Sequence, residues 1–175
     1  MAKYAAFLRG INVGNIRIKM TDLQACFRDL GFDEVKTFLQ TGNVVFNTNK
    51  LPGSLVKTIE TELSDRFHYT AYVQIYALPE LQQIIENYPF AALDNYHRYV
   101  TFVSDAEVIP KIIDEAAQFE WIDEEIQAAT QVIYWRVPKG NTIDSSFGKI
   151  SAKSAFKKVL TTRNINTLEK MVSAA

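Results

Sequence analysis

Tyr4-Ala5-Ala6-Phe7-Leu8-Arg9-Gly10-Ile11-Asn12-Val13-Gly14 decides how the chain begins. Tyr4 to Leu8 are apolar without interruption, the pattern of a buried strand. A helix start follows at Met20-Thr21-Asp22, where Thr21 and Gln24 have the spacing of a capping box. The stretch between them is therefore a strand-to-helix loop. Within it Arg9–Gly14 holds two glycines and an asparagine, with two bases, Arg17 and Lys19, close behind. Glycine lets backbone N–H groups turn toward a ligand, and a helix start favours an anion.

Working outward, the first helix carries its apolar stripe at Met20, Leu23, Phe27 and Leu30, and Gly31 stands where a left-handed cap belongs. Residues 35–39 and 44–46 are β-rich runs around Gln40-Thr41-Gly42-Asn43, which predicts a hairpin or one strand kinked at Gly42. Pro52-Gly53-Ser54 opens a second helix with Leu55, Val56, Ile59 and Leu63 on its buried face, and residues 71–77 form the next strand. The order β-α-β-β-α-β is the ferredoxin-like unit, here over residues 1–77.

A linking helix and loop fill residues 78–96, with Tyr88-Pro89 as the stop. The order then restarts. A strand is expected at 98–104, a helix at 106–117, strands at 119–122 and 132–137, and a helix at 147–160 with Ala152, Ala155, Phe156, Val159 and Leu160 as its stripe. A last helix at 167–172, capped by Asn166 with Glu169 three residues on, takes the place of the final strand in a second unit over 97–175. The expected fold class is α+β: two ferredoxin-like sub-domains, each an antiparallel sheet with helices packed on one face.

Composition narrows the class. The 175 residues are 47% hydrophobic and 22% charged, and a net charge of −1 supplies no global field for nucleic acid or membrane. A single cysteine, Cys26, excludes an intramolecular disulfide and a thiolate-rich metal site. No apolar run approaches the ~20 residues needed to cross a bilayer. Met1-Ala2-Lys3 leads straight into the first strand, so a cytoplasmic protein without a leader is expected. Charge is segregated: residues 105–125 carry eight acids against Lys111, and residues 138–171 carry seven bases against Asp144 and Glu169. Two solvated faces that partly neutralise each other account for this.

Several short motifs recur together: Arg9-Gly10-Ile11-Asn12-Val13-Gly14, Lys19-Met20, Gln40-Thr41-Gly42-Asn43-Val44-Val45-Phe46, and Thr161-Thr162-Arg163-Asn164 with Asn166-Thr167. Over its whole length the chain resembles a bacterial family known as domain of unknown function 1697. The resemblance implies two ferredoxin-like halves and no established activity. It departs at Ile165, where the family usually has tryptophan, which removes an aromatic for stacking there.

The candidate ligand-binding residues are Arg9, Gly10, Asn12, Gly14, Lys19, Gln40, Thr41, Asn43, Thr162, Arg163 and Asn164. Arg9 ends a strand and offers a planar guanidinium for a phosphate or carboxylate; the alternative is an arginine bonding loop carbonyls. Asn12, Gln40, Thr41 and Asn43 are either ligand contacts or turn residues around Gly42. Sequence does not fix whether their two loops lie at the same end of the sheet. Arg163-Asn164 precede a capped helix, an anion site or an anchor for the C-terminal segment. That Asn43 and Arg163 converge on the first loop is an expectation resting on the family-like motifs.

Lys149, Lys153 and Lys157 recur every four residues and predict one basic helix face, open to a phosphate backbone or simply solvated. His68 and His97 have no partners at metal-ligand spacing, so no metal and no cofactor are expected. Cys26 falls between apolar helix positions, as an inert, semi-buried thiol does. Ser145-Ser146 lack a nucleophile-elbow context, and Trp121 and Trp135 pack the second sheet.

These readings favour a protein that binds a small phosphate- or carboxylate-bearing ligand at the first loop, with Arg9 as the bidentate contact and Lys19 at the mouth. Two alternatives stand beside it. One is a phosphate-ester or acyl-phosphate hydrolase on the same loop; acylphosphatases share the element order, but their motif is absent here. The other is a nucleic-acid-binding module on the basic C-terminal helix, against which stand the slightly negative charge and the lack of a basic-aromatic strand signature. A purely structural protein without a ligand completes the set. Oligomeric state is open.

Overall fold

The computed structural model describes residues 1–12 and 14–174. Val13, in the glycine-rich loop, lies outside the described residues. The chain divides into two compact units, Met1–Ile84 with Glu169–Ala175, and Ile85–Leu168.

The first unit runs β1 (Ala2–Arg9), α1 (Met20–Asp29), β2 (Asp33–Phe38), β3 (Asn43–Thr48), α2 (Pro52–Phe67), β4 (Tyr72–Ala77). Its sheet has the order β2-β3-β1-β4 with every neighbouring pair antiparallel. The unbroken apolar run puts β1 in the middle, where strand neighbours lie on both sides. Tyr4, Ala6 and Leu8 face the helices and pack with Leu23, Cys26 and Phe27 of α1 and Leu55, Ile59 and Leu63 of α2. Phe46 of β3 anchors this layer, stacked on Phe32 at 4.6 Å and edge-on to Phe27 at 5.4 Å. Val56, expected on the buried stripe of α2, is exposed, because the stripe narrows to every fourth residue there.

The second unit repeats the plan: β5 (Tyr96–Val103), α4 (Val108–Ala116), β6 (Glu125–Ala128), β7 (Val132–Pro138), α5 (Ser146–Ser151), β8 (Leu160–Asn164), with sheet order β6-β7-β5-β8, again antiparallel throughout. Both sheets thus share one arrangement, and each fourth strand runs directly into a helix: β4 into α3 (Leu78–Glu86), β8 into α6 (Ile165–Ser173). The fold class is the expected α+β pair of ferredoxin-like arrangements.

Four expectations for the second unit are corrected. Its fourth strand is present, as β8. The stripe at 147–160 fits a helix by spacing alone, but α5 ends at Ser151, and a series of turns closed by Lys153 N–H to Ile150, Phe156 N–H to Lys153 and Val159 N–H to Phe156 carries the chain to the edge of β5. There the β-branched pair Thr161-Thr162 joins the ladder, Thr162 opposite Thr101 with their hydroxyls 2.8 Å apart. The strand expected at 119–122 is a loop. Phe119 and Trp121 pack on the core from it, the Trp121 indole donating to the Ala116 carbonyl at 2.9 Å, while Ile122 is exposed. The true strand, β6, places one apolar residue, Ile126, opposite Trp135. The C-terminal helix starts earlier than expected, at Ile165, and its last residues group with the first unit, where Lys36 Nζ donates to the Ala174 carbonyl at 2.5 Å.

Two caps also differ. Thr21 does not cap α1: the N-cap is Lys19, without a side-chain cap bond, and Gln24 turns instead to the Thr37 hydroxyl at 2.9 Å. At α6 the capping group is Asn164, whose Oδ1 accepts from the Asn166 N–H at 3.0 Å, and Asn166 lies inside the helix.

Glu124 belongs to the acidic run by sequence but not by position. It is buried, and its carboxylate accepts from the Trp135 indole at 2.8 Å and from the N–H groups of Ser146 and Phe147 at 2.9 and 3.0 Å. It thereby holds the start of α5 against β7, while the Ser145 hydroxyl caps the same turn.

The ending of α5 at Ser151 dissolves the basic helix face. Lys149 alone lies in the helix, and Lys153 pairs with Glu115 at a half-exposed position. Exposed ion pairs contribute ~0.2–1 kcal/mol. Replacing Lys149, Lys153 and Lys157 together by alanine is therefore expected to change stability by no more than about 1 kcal/mol, read from thermal melts. A larger loss would show that the pair with Glu115 helps to hold the turns after α5.

Candidate functional site

The antiparallel pairing of β1 with β3 sets Phe7 opposite Asn43, so the end of β1 and the start of β3 lie at the same end of the sheet. The glycine-rich loop and the 39–42 hairpin are therefore neighbours. Their contact is close. Leu8 N–H donates to the Gly42 carbonyl at 2.7 Å, and a Cβ at Gly42, whose φ is +77°, would stand 2.7 Å from Leu8 Cβ and 2.8 Å from Ile11 Cδ1.

Asn12 ties the two loops together. Its Oδ1 accepts from the Ile18 N–H at 3.0 Å, and its Nδ2 donates to the Ile18 and Gln40 carbonyls at 3.3 and 2.6 Å. Both polar atoms of its side chain are thus engaged within the protein. Asn12 in the first loop and Leu39 at the hairpin have φ of 54° and 56°, left-handed values for residues other than glycine. Such backbone costs ~1–3 kcal/mol each and persists where the surroundings over-determine it, most often at functional sites.

Against this junction lies a cleft of about 550 Å³, lined by Asn12, Arg17, Lys19, Thr21, Asp22 and Gln40, with Phe67 as an apolar wall. Arg17 and Lys19 are exposed on its rim, and Asp22 is the one acid in the lining. The start of α1 opens into it. Asp22 and Leu23 N–H groups bond back to the Lys19 carbonyl, but those of Met20 and Thr21 find no acceptor among the described residues. Two free donors, the positive end of a helix dipole and two cations thus meet in one concave place.

Of the residues singled out by sequence, Asn12, Lys19 and Gln40 line this cleft. Gly10 and Gly14 shape the loop, with φ of +73° and +55°. Thr41 and Asn43 serve the hairpin: Asn43 is fully buried and donates to the Phe38 carbonyl and the Thr41 hydroxyl, both at 2.9 Å. Arg9 is absent from the lining. Strand alternation turns Leu8 to the helices and Arg9 to the opposite face, beside Tyr72, where partial burial holds its guanidinium below the usual arginine range despite the opposing pull of the phenol.

Thr162, Arg163 and Asn164 belong to the second unit, on β8. Thr162 bonds Thr101; Arg163 donates to the Thr162 carbonyl at 2.9 Å, and burial pushes its pKa down to about 10; Asn164 caps α6. Cys26 is fully buried and burial pushes its thiol up to about 11, so it stays protonated at neutral pH. Among the described residues no group of three or more His, Cys, Asp or Glu side chains is placed to hold a metal ion, and no helix is long and apolar enough to cross a membrane.

Residues 1–134 match the family described as "Protein of unknown function (DUF1697)". The chain belongs to the DUF1697 family. No curated protein matches it. Among solved structures, a conserved bacterial protein from Streptococcus pneumoniae shares 22% sequence identity over 98% of this chain and 97% of its own, with a TM-score of 0.81, which shows a common fold. A protein of unknown role from Galdieria sulphuraria aligns over 93% of this chain and 96% of its own at 10% identity, with a TM-score of 0.27.

Two features of the cleft in this DUF1697 chain lay beyond the sequence reading. Arg17 was visible only as a nearby base, since nothing in the loop's spacing says which way it turns. Phe67 arrives from the far end of α2, a long-range contact without a motif.

Proposed function

We propose that the chain binds a small phosphate- or carboxylate-bearing ligand in the α1 cleft. The observation that carries this reading is the start of α1: an uncapped helix end, whose Met20 and Thr21 N–H groups have no acceptor among the described residues, opens beside Lys19 and Arg17. An anion there gains the helix dipole, worth ~0.3–1 kcal/mol, and charge-assisted bonds worth ~1.5–3 kcal/mol each. The stapled, strained loops around it hold those donors in place before any ligand arrives, which lowers the ordering cost of binding. Arg9, placed on the other face of the sheet, has no part in this reading.

The test is calorimetric titration with inorganic phosphate, a nucleoside monophosphate, acetyl phosphate and citrate, beside thermal melts. Lys19→Ala is expected to weaken binding by about tenfold or more, since one charge-assisted bond is lost. Its melting temperature should stay unchanged, because the exposed Lys19 side chain makes no cap bond. Arg9→Ala should leave affinity unchanged. Equal affinities of wild type and Lys19→Ala, or loss of binding in Arg9→Ala, would contradict the reading. Acetyl phosphate in the same series separates binding from hydrolysis, since the hydrolase alternative requires release of phosphate with turnover. The nucleic-acid alternative has lost the helix face on which it rested.

A further inference from the structure

The two units build the same corner with different linings. In each, the start of the central strand, the end of the fourth strand and the helix that follows it meet: β1, β4 and α3 in one, β5, β8 and α6 in the other. In the first unit this corner is a mostly apolar groove of Ala2, Ala77, Leu78 and Pro79, with Lys3 and Gln82 beside them. In the second it is a cleft of about 470 Å³ lined by His97, Arg98, Lys139, Asn164, Asn166 and a single acid, Asp94. The second unit gathers more charged and amide side chains at this place than the first.

Their hydrogen bonds leave donors pointing outward. Asn164 Oδ1 is taken by the Asn166 N–H at 3.0 Å, and Asn166 Oδ1 by Arg98 at 3.5 Å, so in both amides the oxygen is engaged, while the NH2 ends have no acceptor among the described residues. Lys139 Nζ rests on the Asp94 carbonyl at 2.5 Å, a neutral partner that positions the ammonium without cancelling its charge. Arg98 also lies over the Tyr88 ring, 5.7 Å from its centroid, which fixes the guanidinium at the cleft wall. Amide, ammonium, guanidinium and imidazole donors from three separate segments converge there, with one carboxylate among them.

We propose that this corner of the second unit is a second binding site, distinct from the α1 cleft, for a small anion with several acceptor oxygens: a phosphate monoester or a carboxylate. It rests on the convergence of Lys139, Arg98, Asn164 and Asn166 and is independent of whether the α1 cleft binds anything. The anion accepts from the Asn164 and Asn166 NH2 groups and from Lys139, and Arg98 closes the far side.

The experiment is a nitrogen-15-resolved titration of the full chain with inorganic phosphate and, separately, with acetate, following the side-chain amides of Asn164 and Asn166 and the backbone N–H of Lys139. Saturable shifts at these groups are expected in the wild type. In Lys139→Gln, an exposed position whose loss leaves the spectrum otherwise intact, the apparent affinity should fall by about tenfold or more. In Lys19→Ala the shifts should persist with unchanged affinity. The relative response to phosphate and acetate tells which anion class the site prefers. Absence of saturable shifts with both anions would overturn the proposal, as would an affinity that Lys139→Gln and Arg98→Gln both leave unchanged.

Discussion

Glu124→Ala is expected to lower stability by about 3 kcal/mol or more, because it strands three donors at once and each buried, unsatisfied donor costs ~1–3 kcal/mol. The Trp135 indole, the Ser146 N–H and the Phe147 N–H all donate to this one carboxylate, at 2.8, 2.9 and 3.0 Å. No other acceptor replaces it in the described surroundings, since Trp135 is packed between Tyr99 and Phe147, with ring centroids 5.0 and 5.1 Å away. For a chain of this length 1 kcal/mol moves the melting temperature by ~2–4 °C, so a fall of roughly 6–12 °C follows. Glu124→Gln keeps one acceptor oxygen and should fall by less. Melting followed by tryptophan fluorescence reads the change where it occurs, because Trp135 is one of the two tryptophans. A drop below about 1 kcal/mol in the alanine variant would mean that water reaches the stranded donors, and that Glu124 does not hold α5 to β7.

Gly42→Ala should damage both the fold and the site. The added Cβ meets Leu8 Cβ at 2.7 Å and Ile11 Cδ1 at 2.8 Å, closer than packed carbons approach, and the φ of +77° is unfavourable for any side chain. Left-handed strain adds ~1–3 kcal/mol and overpacking a further ~1–3 kcal/mol. Relief requires the hairpin to move away from the loop, which breaks the 2.6 Å bond from Asn12 to the Gln40 carbonyl and the 2.7 Å bond from Leu8 to Gly42. The expected result is a loss of about 2–5 kcal/mol together with loss of anion binding in the α1 cleft. Asn12→Ala separates the two effects, since it removes the tie between the loops without the clash. Anion affinity unaffected in both variants would show that the junction does not shape the cleft.

The first unit was legible in sequence because its periodicities do not compete. The apolar run of β1, the three-four spacing of α1 and α2 and the glycine at the hairpin each support one conformation, and Gly31 ends α1 at a φ of +80° as its position predicts. The second unit misled where spacing fitted two structures. Ala152, Phe156 and Val159 stand at helical intervals, yet β5 offers an unpaired edge, and the Thr161-Thr162 pair satisfies it better than another helical turn would. Phe119, Trp121 and Ile122 have strand composition, but two of them anchor a loop and the third is exposed.

Of the candidate site, the loop was legible and the direction of its side chains only partly. Alternation along β1, with Leu8 facing the helices, already turns Arg9 away from them, so its placement beside Tyr72 follows from a pattern present in the sequence. The register of β1 on β3, which brings Gln40 beside Asn12, does not. The cleft of the second unit was out of reach for the same reason: Arg98, Lys139 and Asn166 come from three distant segments without a shared motif, and Asn164 drew notice only as part of Thr161-Thr162-Arg163-Asn164.

The central claim is that the open start of α1 receives an anion, and the backbone N–H groups of Met20 and Thr21 report on it directly. A nitrogen-15-resolved titration of the full chain with inorganic phosphate, following those two amides, measures it. The account predicts saturable downfield shifts at both, as new hydrogen bonds form to an anion, with apparent affinity weakened about tenfold in Lys19→Ala. Amides of Met20 and Thr21 that stay in place through the titration, or that move identically in wild type and Lys19→Ala, would contradict it.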